Sequence, residues 1–165
     1  MLEEPTRPLV CLVMILKNEA HTIATTLRSV RDHVDCYHIL DTGSTDGTAR
    51  VIAEHMKGLN GGVYNATFID YGATRNRILE IVAALPIDER PVFTLMLSAD
   101  EVVRNAAHMR AFLADMRYAF GSMHGATPVV MRMSNANAAN SNTAGTVHCK
   151  SLQSAPLADS FDADH

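Results

Sequence analysis

The chain has 165 residues, of which 47% are hydrophobic and 19% are charged, and its formal net charge at pH 7 is −4. This length and composition are those of one globular domain with a single core, and they exclude a wholly disordered chain, a collagen-like repeat and a disulfide scaffold. Because general nucleic-acid binders carry an excess of basic residues, the slight acidic excess also argues against a nucleic-acid partner.

Short apolar runs alternate with amphipathic segments along the chain. Residues 9–16 are continuously apolar, which is typical of a strand buried on both faces of a parallel sheet. Residues 23–34 carry apolar side chains at spacings of four, three and four, which predicts an amphipathic helix. Asn18 or a neighbour is expected to cap this helix, and Glu19 favours the positive end of its dipole.

The same alternation continues to residue 133. The further elements that it predicts are a strand over 36–41, a helix over 51–59 that Asn60–Gly62 ends, a strand over 63–69, a helix over 72–85, a strand over 92–97, a helix around 109–116 and a strand over 129–133. Strands and helices that alternate in this way are joined by right-handed crossovers. The sequence therefore predicts an α/β fold with a mostly parallel sheet flanked by helices.

Residues 134–165 differ from the rest in composition, since they are rich in Asn, Ser and Ala and poor in large apolar side chains. Such a segment buries too little apolar surface to offset the entropy lost on ordering. We therefore predict one domain over residues 8–133 and a low-complexity, disordered tail over 134–165, in a chain that stops before its fold is complete. An incomplete sheet exposes an edge or an apolar face, so self-association is expected.

Two features bear on location. The longest apolar runs, residues 9–16 and 92–97, fall far short of the roughly 20 residues of a membrane-spanning helix. Glu3 and Glu4 stand where a secretory signal would carry positive charge. These features predict a cytoplasmic protein without a transmembrane segment, and a peripheral position at the inner membrane face stays open.

The cysteines and histidines show no familiar metal-binding spacing. Cys11, Cys36 and Cys149 are widely spaced and form no C-x-x-C pair, so free structural thiols are expected. The eight histidines are scattered, with neither an H-E-x-x-H motif nor a pair at i, i+4. This scatter argues against a histidine metal site.

Carboxylates lie at or just beyond the ends of the first four predicted strands, where open α/β sheets bind their ligands. They are Glu19, Asp41, Asp70 and the pair Asp100–Glu101. Acidic residues repel phosphate, but they can hold a divalent cation between carboxylate and phosphate because Mg²⁺ and Mn²⁺ prefer oxygen ligands. Neither G-x-G-x-x-G nor a P-loop is present, which argues against the dinucleotide and P-loop classes.

Two aspartates of the second strand end are interpreted differently. Asp41 ends a buried strand, and this position favours a functional role. Asp46 lies in the turn-rich segment 42–48, where forming the turn and capping the next helix is the favoured interpretation.

Four segments resemble the family 2 glycosyltransferases in content, order and spacing. They are Cys11–Ala20 (CLVMILKNEA), Ile39–Thr48 (ILDTGSTDGT), Tyr71–Arg77 (YGATRNR) and Leu95–Glu101 (LMLSADE). The resemblance covers about residues 9–133 and is nearest to the branch of lipopolysaccharide-core β-glucosyltransferases. It implies the N-terminal, nucleotide-binding part of a GT-A (Rossmann-like) fold. The implied activity is transfer of a sugar from a nucleotide-diphosphate sugar, a UDP-sugar first of all, to an acceptor hydroxyl in cell-surface glycan synthesis.

The resemblance also implies roles for individual residues. Asn18 and Glu19 would lie along the nucleoside, and Asp41 would contact the base. Arg75 and Asn76, near the start of the third helix, would lie near the nucleotide and the sugar.

The metal signature of the family is Asp-x-Asp, and this chain has Ser98-Ala99-Asp100 in its place. The resemblance implies that Asp100 binds Mg²⁺ or Mn²⁺. The resemblance implies that Ser98 would face the sugar or ribose of the donor, where its hydroxyl can form a hydrogen bond but supplies no negative charge.

No catalytic base is assigned, because the family places that carboxylate downstream, in a half of the domain that this chain mostly lacks. Val147–Cys149 (VHC) has a cysteine where the carboxylate of a similar family motif stands. Two interpretations stay open: an active glycosyltransferase with a glycan, lipid or protein acceptor, and an impaired nucleotide-sugar-binding fragment without the base. A doubly wound domain of the response-regulator type is disfavoured, since no acidic pair directly follows the first strand.

Overall fold

The computed structural model describes residues 7–120. Its elements in chain order are β1 (Val10–Leu16), α1 (Ile23–Val30), a 3₁₀ turn (Arg31–His33), β2 (Cys36–Asp41), α2 (Thr48–His55), β3 (Asn60–Asn65), α3 (Tyr71–Ala83), β4 (Phe93–Met96) and α4 (Ala106–Phe120). The predicted fifth strand over residues 129–133 and the predicted tail over 134–165 lie outside the described residues. No helix within the described range is long and apolar enough to cross a membrane.

The four strands form one parallel sheet in the order β3-β2-β1-β4. Leu16 is the register partner of Asp41, and Asp41 that of Asn65, so β1, β2 and β3 end level with one another. On the other side of β1, Val13 pairs with Met96 at the end of β4. The sheet, with helices packed on it, confirms the predicted α/β architecture.

Successive side chains of each strand point to opposite faces of the sheet, so the core forms two layers of unequal size. Side chains of even-numbered residues in β1, such as Leu12 and Met14, pack with α1, α2 and α4. Those of Cys11 and Val13 point to the opposite face, where Ile78 and Val82 of α3 cover them. Among residues 7–120, α3 is therefore the one helix on its face, and it lies across β1 and β2.

Some predicted boundaries were wrong, and Asn60–Gly62 is the clearest case. These residues were predicted to stop a helix, but they begin β3, which ends at Asn65 and not at 69. A Cβ atom on Gly61 would overlap the backbone of Tyr37 in β2. Glycine here permits close approach of two strands, a use that cannot be distinguished from a turn in the sequence alone.

The first helix also differs from its prediction. It ends at Val30 and tightens into the 3₁₀ turn, so Val34 lies outside it. Its N-cap is Thr22, without a side-chain hydrogen bond, and Asn18 does not cap it. Asn18 adopts a left-handed conformation (φ 56°), which asparagine tolerates better than most residues, and it serves the loop instead.

Asp35 ties the amino ends of β1 and β2 to α4. Its Oδ2 accepts hydrogen bonds from the backbone N–H groups of Leu9 (2.7 Å) and Val10 (3.0 Å). Arg110 donates to both carboxylate oxygens, at 2.7 and 3.1 Å. Partial burial by itself would raise the pKa of Asp35, but the hydrogen bonds from Arg110, Val10 and Leu9 outweigh it and hold the pKa below its ordinary value.

Candidate functional site

The candidate site lies at the carboxyl end of the sheet, at the point where the strand order reverses. β2 and β3 lie on one side of β1, and β4 lies on the other. Open α/β sheets bind ligands at such a point, outside the carboxyl ends of the two strands that flank it. The loops after β1 and β4 contain Asn18, Glu19, Ser98 and Asp100, so the topology brings these sequence-predicted residues to one end of the sheet.

The loop after β1 is fastened to the loop after β2 by direct hydrogen bonds. The backbone N–H of Asn18 donates to Ser44 Oγ at 2.8 Å, and Asn18 Oδ1 accepts from the Thr45 N–H at 2.8 Å. The N–H of Glu19 donates to Thr48 Oγ1 at 2.9 Å. These contacts use the side-chain oxygen of Asn18, and its amide NH₂ group, which has no partner among residues 7–117, is the donor that can meet a ligand.

Asp41 is buried at the end of β2, with 3% of its surface exposed. Its Oδ1 accepts from the N–H groups of Gly43 (3.0 Å) and Ser44 (2.7 Å), which closes the turn after the strand. Gly43 has a φ of 106°, a conformation that favours glycine. Asp41 therefore supports the loop through Oδ1, whereas Oδ2 forms no hydrogen bond with the residues that the structure describes and remains to meet a ligand.

Asp46 has the structural role that its position in the turn-rich segment favoured: it caps α2 and joins two loops. Its Oδ1 accepts from the hydroxyl and the N–H of Thr48 at the start of α2. Its Oδ2 accepts from the Ala20 N–H at 3.0 Å. The Thr48 hydroxyl bond, with the Ala20 bond, holds the pKa of Asp46 below its ordinary value.

The loop after β4 presents one carboxylate and uses the other internally. Glu101 Oε2 accepts from the Ser98 N–H at 2.7 Å, so this carboxylate closes the turn. The Ala99 carbonyl accepts from the buried Thr26 hydroxyl of α1 at 2.6 Å, which fixes the loop to the core. Asp100 and Ser98 are exposed, and the Asp100 carboxylate forms no hydrogen bond or ion pair within residues 7–117.

Arg75 and Asn76 lie in the second turn of α3, both exposed. This helix begins after β3, where Asp70 Oδ1 accepts from the Ala73 N–H at 2.7 Å. Because α3 packs across β1 and β2, its first turns lie at the carboxyl end of these strands. The helix thus places Arg75 at the same end of the sheet as Asp41, but among the described residues no polar contact joins either Arg75 or Asn76 to the loops.

The oxygen atoms exposed at the carboxyl end of the sheet fit a divalent cation that the protein and a bound ligand would hold together. Mg²⁺ commonly takes one or two protein carboxylates together with phosphate oxygens and water. Asp100 supplies one exposed carboxylate on a loop that Thr26 and Glu101 fix in place. The described residues fit such a metal through Asp100, with Ser98 able to contribute only a neutral oxygen.

Sequence reasoning missed a second group of polar side chains, at the other end of the sheet. Cys11, Cys36 and His38 are all buried, and their ligand-type atoms lie within 4.8 Å of one another. Cys11 and Cys36 are register partners on neighbouring strands, 25 residues apart in the chain. Their spacing contains no recognisable motif, and only the alternation along each predicted strand hinted that they share a face.

The sequence profile of one known family matches this chain. That family is described as Glycosyl transferase family 2, and the match extends over residues 11–80, from β1 into α3. A comparison with curated proteins found no match.

Solved structures of TarS from S. aureus have a similar fold. TarS 1-349 superposes with a TM-score of 0.54 at 16% identity, over 82% of this chain and 38% of that one. The longer TarS structure gives 0.57 at 16% identity, over 81% and 23%. TarS 1-349 in complex with UDP gives 0.52 at 18% identity, over 68% and 33%. The chain thus spans well under half the length of these proteins.

Proposed function

We propose that this chain is a family 2 glycosyltransferase that binds a nucleotide-diphosphate sugar at the carboxyl end of its sheet. The observation that carries the proposal is the convergence of Asn18, Asp41 and Asp100 at the point where the strand order reverses. The family profile over residues 11–80 supports it, since it includes the first two of these positions. The likeness in fold to TarS, one structure of which contains UDP, favours a uridine nucleotide.

The loop contacts suggest which atoms would hold the nucleoside. Asp41 Oδ2 and the Asn18 side-chain NH₂ are the groups left over by the loop hydrogen bonds, an acceptor and a donor. Together they match the alternating acceptor and donor groups of a uracil edge. Glu19 accepts a hydrogen bond from the Thr22 hydroxyl at 2.5 Å. Its side chain, oriented by this bond, would lie along the nucleoside.

The diphosphate would be held between Arg75 and a cation on Asp100. Arg75 is exposed near the start of α3, and its guanidinium can form paired hydrogen bonds with phosphate oxygens. Mg²⁺ or Mn²⁺, when bound, would stabilise negative charge on the leaving nucleotide. Asn76 would act beside Arg75, as a neutral hydrogen-bonding group toward the sugar.

A second candidate function is binding of the donor without transfer, and Ser98 favours it. A serine at this position offers a hydroxyl to the donor, whereas a carboxylate would add a negative charge at the site. General-base assistance is worth about 10²–10⁴-fold in such reactions, and none of the described residues is assigned to it.

The lipopolysaccharide-core branch, the cell-surface acceptor and the cytoplasmic location rest on the sequence resemblance and composition alone.

Calorimetry with UDP, with and without Mn²⁺, tests the proposal. We expect Mn²⁺ to tighten UDP binding at least tenfold, and Asp100→Asn to abolish that gain while weak metal-free binding persists. Asp115→Asn, which removes an exposed carboxylate on α4, is the matched control and should change neither value.

Two outcomes of the calorimetry would contradict the proposed nucleotide and metal site. The absence of UDP binding under both conditions would overturn the nucleotide site, and equal affinity with and without Mn²⁺ would remove Asp100 from it. Measuring sugar transfer and donor hydrolysis by the unmodified chain and by Ser98→Asp then separates the two candidate functions. Transfer by the unmodified chain would exclude the binding-only function.

A further inference from the structure

Three potential metal ligands meet on the face of the sheet that α3 covers. Cys11 lies on β1, and Cys36 and His38 lie on β2, with exposed fractions of 0%, 3% and 5%. Their ligand atoms all lie within 4.8 Å of one another. The ligand atoms of a tetrahedral Zn²⁺ site lie roughly 3.5–4 Å apart, as follows from metal–ligand bonds of about 2.0–2.3 Å. Shifts of about one ångström or less would therefore close the cluster around a metal.

Backbone geometry holds these ligands in place. Cys11 and Cys36 are register partners in a parallel ladder, so their side chains project side by side from the same face. His38 follows Cys36 by two residues on the same strand and shares that face for the same reason. Both strands are internal to the sheet, which makes the arrangement rigid.

The imidazole of His38 is oriented by a neighbour on β3. Its Nδ1 lies 2.8 Å from the Tyr64 hydroxyl oxygen, and the two rings stack with centroids 5.7 Å apart. An Nδ1–H that donates to this oxygen leaves Nε2 unprotonated, which is the form that binds a metal. Metal-binding histidines commonly have such an outer partner.

The thiol pair is chemically suited to a metal. Cys11 and Cys36 lie side by side on neighbouring strands, so that one ion can contact both sulfur atoms. The thiolate is the form of cysteine that binds a metal, so both thiols lose their protons when the ion binds. Two thiolates and a neutral imidazole around a divalent ion carry no net charge, which limits the cost of burying the site.

An open cleft reaches the cluster from the amino end of the sheet. It has a volume of about 410 Å³, and Cys36, His38, Gly61 and Leu85 line it together with the carboxylates Asp88 and Glu89. A metal held by three protein ligands has a fourth position to fill. The cleft gives water or a small exogenous ligand a path to that position.

We propose that Cys11, Cys36 and His38 form a Zn²⁺ site whose fourth position opens into this cleft. Two Zn–S bonds and one Zn–N bond form, bound water leaves the ion, and the thiol protons of Cys11 and Cys36 pass to solvent. The thiolate–imidazole set selects Zn²⁺ over Mg²⁺ or Mn²⁺, which prefer oxygen. The site is independent of the proposed nucleotide site, because it lies at the opposite end of the sheet.

The test uses the full chain, reduced, in a Cys149→Ser background, so that Cys11 and Cys36 are the only thiols. Titration with Co²⁺ should give thiolate-to-cobalt charge-transfer absorption and the visible bands of tetrahedral cobalt, and both should saturate at one equivalent of Co²⁺. Added Zn²⁺ should displace the Co²⁺. Cys36→Ser should abolish the charge-transfer band of a two-thiolate site or halve its intensity, and lower Zn²⁺ affinity more than 100-fold. His108→Asn, on the exposed surface of α4, is the histidine control and should change nothing.

Tyr64→Phe keeps the ring and removes only the hydroxyl, so it tests the site without removing a ligand. We expect a loss of about 10–100-fold in Zn²⁺ affinity, with the thermal transition of the metal-free protein retained. A folded, reduced protein that shows no thiolate–cobalt band overturns the proposal, as does a Cys11–Cys36 pair that only forms a disulfide and never binds Zn²⁺. UDP affinity, measured on the same sample, tests the nucleotide site separately.

Discussion

The two ends of the central sheet hold their polar side chains in different ways. At the carboxyl end, Asp41 ends β2 and accepts hydrogen bonds from the backbone N–H groups of the turn that follows it, and Asn18 accepts one from the neighbouring loop. At the amino end, Cys11, Cys36 and His38 lie on the strands themselves and meet through strand pairing. The comparison shows that one end depends on hydrogen bonds within and between loops and the other on the register of the sheet.

This difference has a consequence for mutation. A loop at the carboxyl end can lose one hydrogen bond and keep the strands paired, because the other loop contacts remain. A change that disturbs pairing at the amino end alters the core at the same time, since strands β1 and β2 are buried on both faces.

Gly61→Ala at the amino end should have the largest effect. Its φ of 135° disfavours any side chain, and an added Cβ would overlap the Tyr37 backbone across the strand pair. We expect a loss of roughly 3–4 kcal/mol in the free energy of unfolding, measured by urea denaturation. Gly62→Ala, where an added Cβ meets open space, is the matched control and should change stability by less than about 1 kcal/mol. Equal losses in the two variants would show that β3 is not held closely against β2.

Asp35→Ala should come next, because it removes the acceptor that joins two strand ends to Arg110. Leaving the Leu9 and Val10 N–H groups and a guanidinium without this partner should cost about 2–3 kcal/mol. Asp32→Ala removes an exposed carboxylate whose one ion-pair partner in the described part of the chain is Arg31, and it should cost under about 0.5 kcal/mol.

The contribution of Asp35 should also depend on pH. Since its pKa in the folded protein lies below the ordinary 3.8, the stabilisation is present above about pH 4 and is lost as pH falls through the folded value. Wild type and Asp35→Ala should therefore converge in stability toward pH 2, as followed by urea denaturation across pH. A difference that stays constant down to that pH would contradict an ionised Asp35 as the source.

The smallest effects on stability should come from the carboxyl end of the sheet. Two substitutions of Asp41 separate its role in the turn from its proposed role in binding UDP. Asp41→Ala removes the acceptor for the Gly43 and Ser44 N–H groups and should cost about 1–2 kcal/mol. Asp41→Asn keeps an acceptor oxygen and should cost less, while it still weakens UDP binding by removing the charge. If Asp41→Asn binds UDP like the wild type, the residue is purely a turn former.

Much of the fold was accessible from the sequence because burial and periodicity are local properties. Continuous apolar runs predicted β1 and β4, and the four-and-three spacing predicted α1, as the structure shows. The failures came where one residue type serves two purposes. Gly61 was interpreted as part of a helix stop, although it is needed for close strand contact, and Asn18 was named first among the possible caps of α1, although it joins two loops.

The sequence by itself determined which side chains follow each strand, and with parallel pairing it determined that they share one end of the sheet. Only the tertiary structure decided which of their atoms are left for a ligand: Asp41 Oδ2 and not Oδ1, and Asp100 but not Glu101. The tertiary structure alone also placed Cys11 beside Cys36. The physical reason is that strand order and register depend on packing between distant segments, which no local pattern encodes.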